Sequence, residues 1–113
     1  MQYAVLIYES EQDFADRPGL MPAYAAYSRA LAEAGHMAGG EALQPTHTAT
    51  TVRLRHGERQ VQDGPFPDSK EQLGGFFLID VPDLDAALTW AARCPAAERC
   101  AVEVRPVLAM EVP

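Results

Sequence analysis

The chain is short of cations, almost without cysteine, and has no long apolar run. Lys and Arg number nine against sixteen Asp and Glu, a formal net charge of −7. The acids are spread rather than blocked, and such a surface repels a phosphate backbone, so no direct nucleic-acid partner is expected. The only two cysteines, Cys94 and Cys100, have neither CxxC nor zinc-site spacing and read as free thiols. His36, His47 and His56 make no HxH or HxxxH pair, and no GxGxxG or haem motif is present. Neither a metal nor a cofactor is therefore expected. No stretch approaches the roughly 20 apolar residues of a membrane helix. The opening MQYAVLIYESEQ has no basic region before its apolar run and turns acidic at once. It does not read as a secretory signal, and the expected location is cytoplasmic. What is present, 113 residues at 48% hydrophobic and 22% charged with no linker or repeat, is one soluble domain over 1–113 with its own core.

Tyr3 to Tyr8 is apolar on both faces and predicts a central strand. The following ESEQDFADRPG is polar and punctuated, and reads as loop. Leu20 to Ala34 has the helical period through Leu20, Tyr24, Tyr27, Leu31 and Ala34, with Pro22 in the first turn and Gly35 as the stop. Met37 to Leu43 predicts a short strand whose Gly39-Gly40 pair marks a bulge or a close backbone approach. Ala49 to Arg55 alternates like a half-buried strand and pairs with Arg59 to Gln62 as a hairpin. The run 63–74 is irregular, with one helical turn expected around Ser69 to Leu73. Gly75 to Val81 is a second strand apolar on both faces. Asp83 then caps a helix LDAALTWAARC, whose buried stripe is Leu84, Ala87, Leu88 and Ala91. Ala101 to Pro106 is the last strand, with Val102 and Val104 inward.

The order β-α-β-β-β-α-β, less its extra hairpin strand, is the ferredoxin-like α+β plan: an antiparallel sheet with two helices on one face. Its central pair would be the two strands that are apolar on both faces. Two helices cover one face only, so a second copy of the sheet is the expected cover for the other. A homodimer through facing sheets follows as an expectation.

Three stretches carry a resemblance. GGEALQP, the run from Ala49 through Pro95, and VEVRPV resemble the YCII-related family, in particular its DGPF branch. The tetrapeptide stands as Asp63-Gly64-Pro65-Phe66; KEQLGG (Lys70 to Gly75) and EVRPV (Glu103 to Val107) also match. The resemblance implies small ferredoxin-like proteins that dimerise through their sheets, similar in plan to dimeric α/β-barrel monooxygenases and dehydratases. It also implies a His/Asp pair in a cleft for the wider group, some of whose members catalyse small-molecule eliminations. Genes of the branch often neighbour extracytoplasmic-function sigma factors. The first helix here, LMPAYAAYSRALAEA, holds no histidine to complete that pair.

Asp63 has two readings. Asp-Gly is a turn dipeptide, and Pro65 and Phe66 would anchor such a turn. A carboxylate beside a phenylalanine and two prolines would also be partly desolvated, which raises its pKa toward acid/base use. His36, just past the first helix, is either a dipole-facing histidine or a second catalytic group. Glu41 is an outward strand residue or a carboxylate aimed at the cleft. Tyr24 and Tyr27 are core residues whose hydroxyls reach a cleft edge. Arg53, Arg55 and Arg59 form a solvated strand face or an anion patch. Arg53, Lys70 and Phe66 are the candidate holders of a small, anionic or apolar ligand. Two functions stay open: acid/base chemistry of elimination or isomerisation type at Asp63, or a non-catalytic ligand-binding or regulatory module tied to such a sigma factor.

Overall fold

Strand β1 (Gln2–Glu9) lies between β5 (Gln72–Asp80) and β6 (Ala101–Pro106), and β2 (Met37–Ala42) closes the other edge of β5. All pairings are antiparallel and the order is β2-β5-β1-β6. The computed structural model describes residues 1–110, so positions 111–113 of the assigned domain lie outside it. Helix α1 (Glu11–Glu33) connects β1 to β2, and α2 (Leu84–Ala92) with the short α3 (Ala96–Arg99) connects β5 to β6. Strands β3 (Thr50–Arg55) and β4 (Glu58–Asp63) pair only with each other, as a separate two-stranded sheet.

The two strands with apolar residues on both faces are the central pair. Their faces are not covered alike. Tyr3, Val5, Ile7 and Ile79 are buried under the helices, with Tyr27, Leu31, Ala87 and Cys94 packed on them. On the opposite face Leu6, Tyr8, Phe76 and Leu78 are only half-buried. Tyr27 anchors the layer: its ring meets Phe77 edge-on at 5.2 Å and its hydroxyl donates to the Trp90 carbonyl at 2.8 Å. Gly40 permits the expected close approach, since a β-carbon there would lie 2.6 Å from the Phe76 carbonyl oxygen.

The first helix begins at Glu11 rather than Leu20, so most of the segment read as loop is helical. The reason is local. The Ser10 hydroxyl accepts from the Asp13 N–H at 3.2 Å, while the Asp13 carboxylate accepts from the Ser10 N–H at 2.9 Å, a reciprocal cap. Pro18 and Pro22 both fall inside the helix, not in its first turn. Each removes one backbone bond, which the cap and the packed tyrosine face offset. Two further expectations fail. Leu84 and Leu88 are half exposed and only Ala87 and Ala91 of that stripe are buried. No helical turn forms around Ser69; the Gln72 side chain instead donates to the carbonyls of Pro67 and Ser69 at 2.8 and 2.9 Å, and β5 starts there.

Asp13 also takes the Arg99 Nε at 2.9 Å, tying the start of α1 to α3. The Ser10 N–H bond, with Arg99 behind it, holds the buried Asp13 carboxyl below its ordinary value against the opposing effect of burial. A depressed folded pKa contributes stability above the unfolded value, near 3.8, and loses it as pH falls through the folded one. Asp13→Ala is therefore expected to cost about 1–3 kcal/mol in urea unfolding at pH 7. The difference from wild type should shrink below pH of about 4; an undiminished difference in strong acid would rule out the charge as its source.

Candidate functional site

Continuing the inward alternation of β1 one step past Ile7 leads to Glu9, an acid at 5% exposure on the helix-covered face. A lone carboxylate at such a position needs a partner. Arg17, on α1, supplies it: Nη2 donates to Glu9 Oε1 at 3.0 Å. The same nitrogen donates to the Gly74 carbonyl of β5 at 2.8 Å, and Nη1 donates to the Leu43 carbonyl just past β2. Phe14, one turn earlier, stacks under the guanidinium at 4.8 Å. One side chain thus binds α1 to the ends of β1, β2 and β5. The Glu9 carboxylate lies so close to the sheet that a β-carbon on residue 74 would stand 2.2 Å from Oε1. The Gly74-Gly75 pair is the space it occupies.

Beside this pair a cavity of about 260 Å³ opens between α1 and the β5–β2 half of the sheet. Ile7, Met21, Tyr24 and Phe77 give it apolar and aromatic walls; Glu9, Arg17 and Ser28 are its polar groups. Only Oε1 of Glu9 takes a hydrogen bond. No buried side-chain oxygen or nitrogen among the described residues lacks a partner, so Oε2 is not fully buried, and Glu9 borders both this cavity and a small cleft toward Asp13 and Arg99. The Tyr24 phenol is pushed well above its usual range, first by burial and then by Cys94 and Glu9, with Arg17 opposing. It stays protonated at all ordinary pH. The arrangement is an oriented carboxylate and a neutral tyrosine at the wall of a largely apolar chamber.

The predicted site residues scatter. Tyr24 lies in the cavity wall and Glu41 at the rim, its side chain exposed on the edge strand. Tyr27 belongs to the core. Asp63 is exposed at the end of β4. There Gly64, at φ 100°, donates its N–H to Ala49 at 2.7 Å and accepts the Thr51 hydroxyl at 2.7 Å, closing the base of the hairpin. Arg53 stacks on Phe66 at 4.6 Å, both exposed, and Lys70 is exposed on the loop beyond. His36 sits at the Asp80 end of β5, its Nδ1 2.9 Å from the Asp80 carbonyl oxygen and its ring against Trp90. Asp63 ends the hairpin that leads to the Gln72 end of the same strand, so the two candidate catalytic groups are not brought together. Glu9 and Arg17 were hidden because their segment reads as loop; the signal that finds Glu9 is the period-2 register of β1.

Comparison with known proteins fits this architecture. A protein of Rhizobium meliloti (strain 1021), described as uncharacterized, is 42% identical over 96 residues, covering 80% of this chain and 77% of its own. A solved structure of 5-chloro-2-hydroxyhydroquinone dehydrochlorinase (TftG) from Burkholderia phenoliruptrix, in complex with 2,5-dihydroxybenzoquinone, has the same fold. It aligns at a TM-score of 0.59 and 15% identity over 96% of this chain and 94% of its own. The sequence matches the YCII-related domain over residues 1–111, and the chain belongs to that family.

Proposed function

We propose that the cavity under α1 binds a small ring-sized molecule and that Glu9, oriented by Arg17, moves a proton on it in a reaction of elimination or isomerisation type. The observation that carries this is a buried carboxylate, oriented by a guanidinium, in the wall of an apolar chamber that Tyr24 also lines. Bases act best when held within hydrogen-bond reach of the proton they take, and Arg17, itself anchored on two backbone carbonyls, fixes Glu9. Tyr24 would donate to the oxygen on which charge develops. A volume near 260 Å³ falls just below the usual range of ligand pockets, about 300 to 1,000 Å³, and suits a single small ring. That a protein of the same fold is a dehydrochlorinase, named for an elimination, supports the reaction class. This reading moves to Glu9 the acid/base role that the sequence suggested for Asp63. It further holds that a second copy covers the open sheet face at Leu6, Tyr8, Phe76 and Leu78. The rival, a sigma-factor-linked regulatory module, would use the same cavity for binding without proton transfer.

Halogenated dihydroxyaromatics, with halide release as the readout and thermal shift as the measure of binding, separate the two. Glu9→Gln should keep binding and lose turnover by about 10²–10⁴-fold. Unchanged turnover in Glu9→Gln would remove Glu9 from the chemistry, and tight binding with no turnover by wild type would favour the module. A second outcome concerns the ion pair itself. Arg17 keeps 18% exposure, so Arg17→Met should destabilise at the lower end of the roughly 3–5 kcal/mol that breaking a buried pair costs. The double variant Glu9→Leu/Arg17→Met should recover much of that loss in urea unfolding while abolishing turnover.

A further inference from the structure

We infer that the β3–β4 hairpin is an arm that seats on a second copy of this chain. The inference rests on the dimer reading above and adds to it the element that embraces the partner. A two-stranded hairpin is at best marginally stable alone in water, yet among the described residues this one pairs only with itself. The molecule is also extended, with a radius of gyration of 15.9 Å against about 13 Å for a compact chain of this length. Its register sets Val52 directly opposite Val61, with Leu54 two residues on along the same face. These three side chains are 62%, 58% and 73% exposed. An apolar strand face left so open is a liability unless something covers it.

A second copy is the occupant that charge and continuity favour. Residues 50–63 carry three of the nine cations, Arg53, Arg55 and Arg59, against Glu58 and Asp63. The hairpin is thus net +1 on a chain of −7, which leaves −8 for the rest. Of the three cations, Arg59 shares the apolar face with Asp63, whereas Arg53 and Arg55 stand on the other face, so the charge bias of the whole arm toward an anionic body steers the approach rather than the seating. The open sheet face places exposed Glu41 beside its apolar centre, and Glu103 there is paired with Arg105 at 2.8 Å. That face also runs into the hairpin's base. A groove there has Tyr8 and Leu73 of the sheet on one side and Pro45, Ala49, Pro65 and Pro67 on the other. A copy laid on the sheet meets the arm along the same surface, and two-fold symmetry makes the exchange mutual.

Analytical ultracentrifugation of the full chain across a dilution series tests this. Wild type should sediment at twice 12.3 kDa. The arm variant Val52→Asp/Leu54→Asp and the sheet variant Leu6→Asp should each raise the dimer Kd by about 30-fold or more, as loss of a buried anchor does. The arm variant should keep the wild-type circular dichroism, since its sites are exposed within one chain; if it does not fold, Leu54→Ser gives the same reading with a milder change. A wild-type dimer that Leu6→Asp weakens and the arm variants do not would overturn the arm and leave the facing sheets standing. A monomeric wild type would overturn both.

Discussion

Burying the Glu9 carboxylate sets a condition that much of this molecule meets. An ion taken out of water costs several kcal/mol unless its charge is answered nearby. The answer is a guanidinium whose planar fork serves several oxygens at once. Because Arg17 bonds the Glu9 side chain and the backbone carbonyls of Leu43 and Gly74, the start of α1 is held over the ends of three strands. The cavity opens beside these bonds, with Glu9 and Arg17 in its wall.

Arg17 is also why α1 can tolerate its prolines. Pro18 and Pro22 stand among the residues that roof the cavity, directly after Arg17 and Met21, and each withholds an N–H from the helix ladder. A helix end held only by propensity would stop there. Here the Ser10–Asp13 cap starts the helix, Arg99 grips it from α3, and Arg17 fastens the turn before Pro18. Tertiary bonds outweigh local preference, and the helix continues into Tyr27 and Leu31.

This divides what could be read from the sequence. The strands were visible because Tyr3–Tyr8 and Phe76–Ile79 are apolar on both sides, and that pattern also named the central pair. The hairpin followed from the alternation around Thr50–Arg55. The start of α1 was not visible, because polar residues with proline and glycine punctuation look like a loop until the Ser10–Asp13 cap is closed and Gly74 and Arg99, far along the chain, are brought beside them. For the same reason the candidate site was found only in part. Tyr24 lies in the cavity wall, whereas Glu41 touches the rim from a strand position whose side chain shares the opposite face with Phe76, and the motif around Asp63 drew attention to a turn at the base of the hairpin. Its Gly64 contacts show a backbone role that residue chemistry alone does not distinguish from a reactive one.

The two adjacent glycines at the start of β5 carry unlike constraints. At position 75 an added carbon would lie 2.9 Å from the carbonyl oxygen of Glu41, part of the neighbouring strand's main chain, and no exchange of side chains relieves it. At position 74 the obstruction is the end of Glu9 alone. The order of evolutionary steps is therefore directional: Glu9 must shorten before Gly74 can acquire a side chain. A lineage that keeps the acid is held to glycine there, whereas one that has lost it can fill position 74 and, by closing the space, make the return improbable.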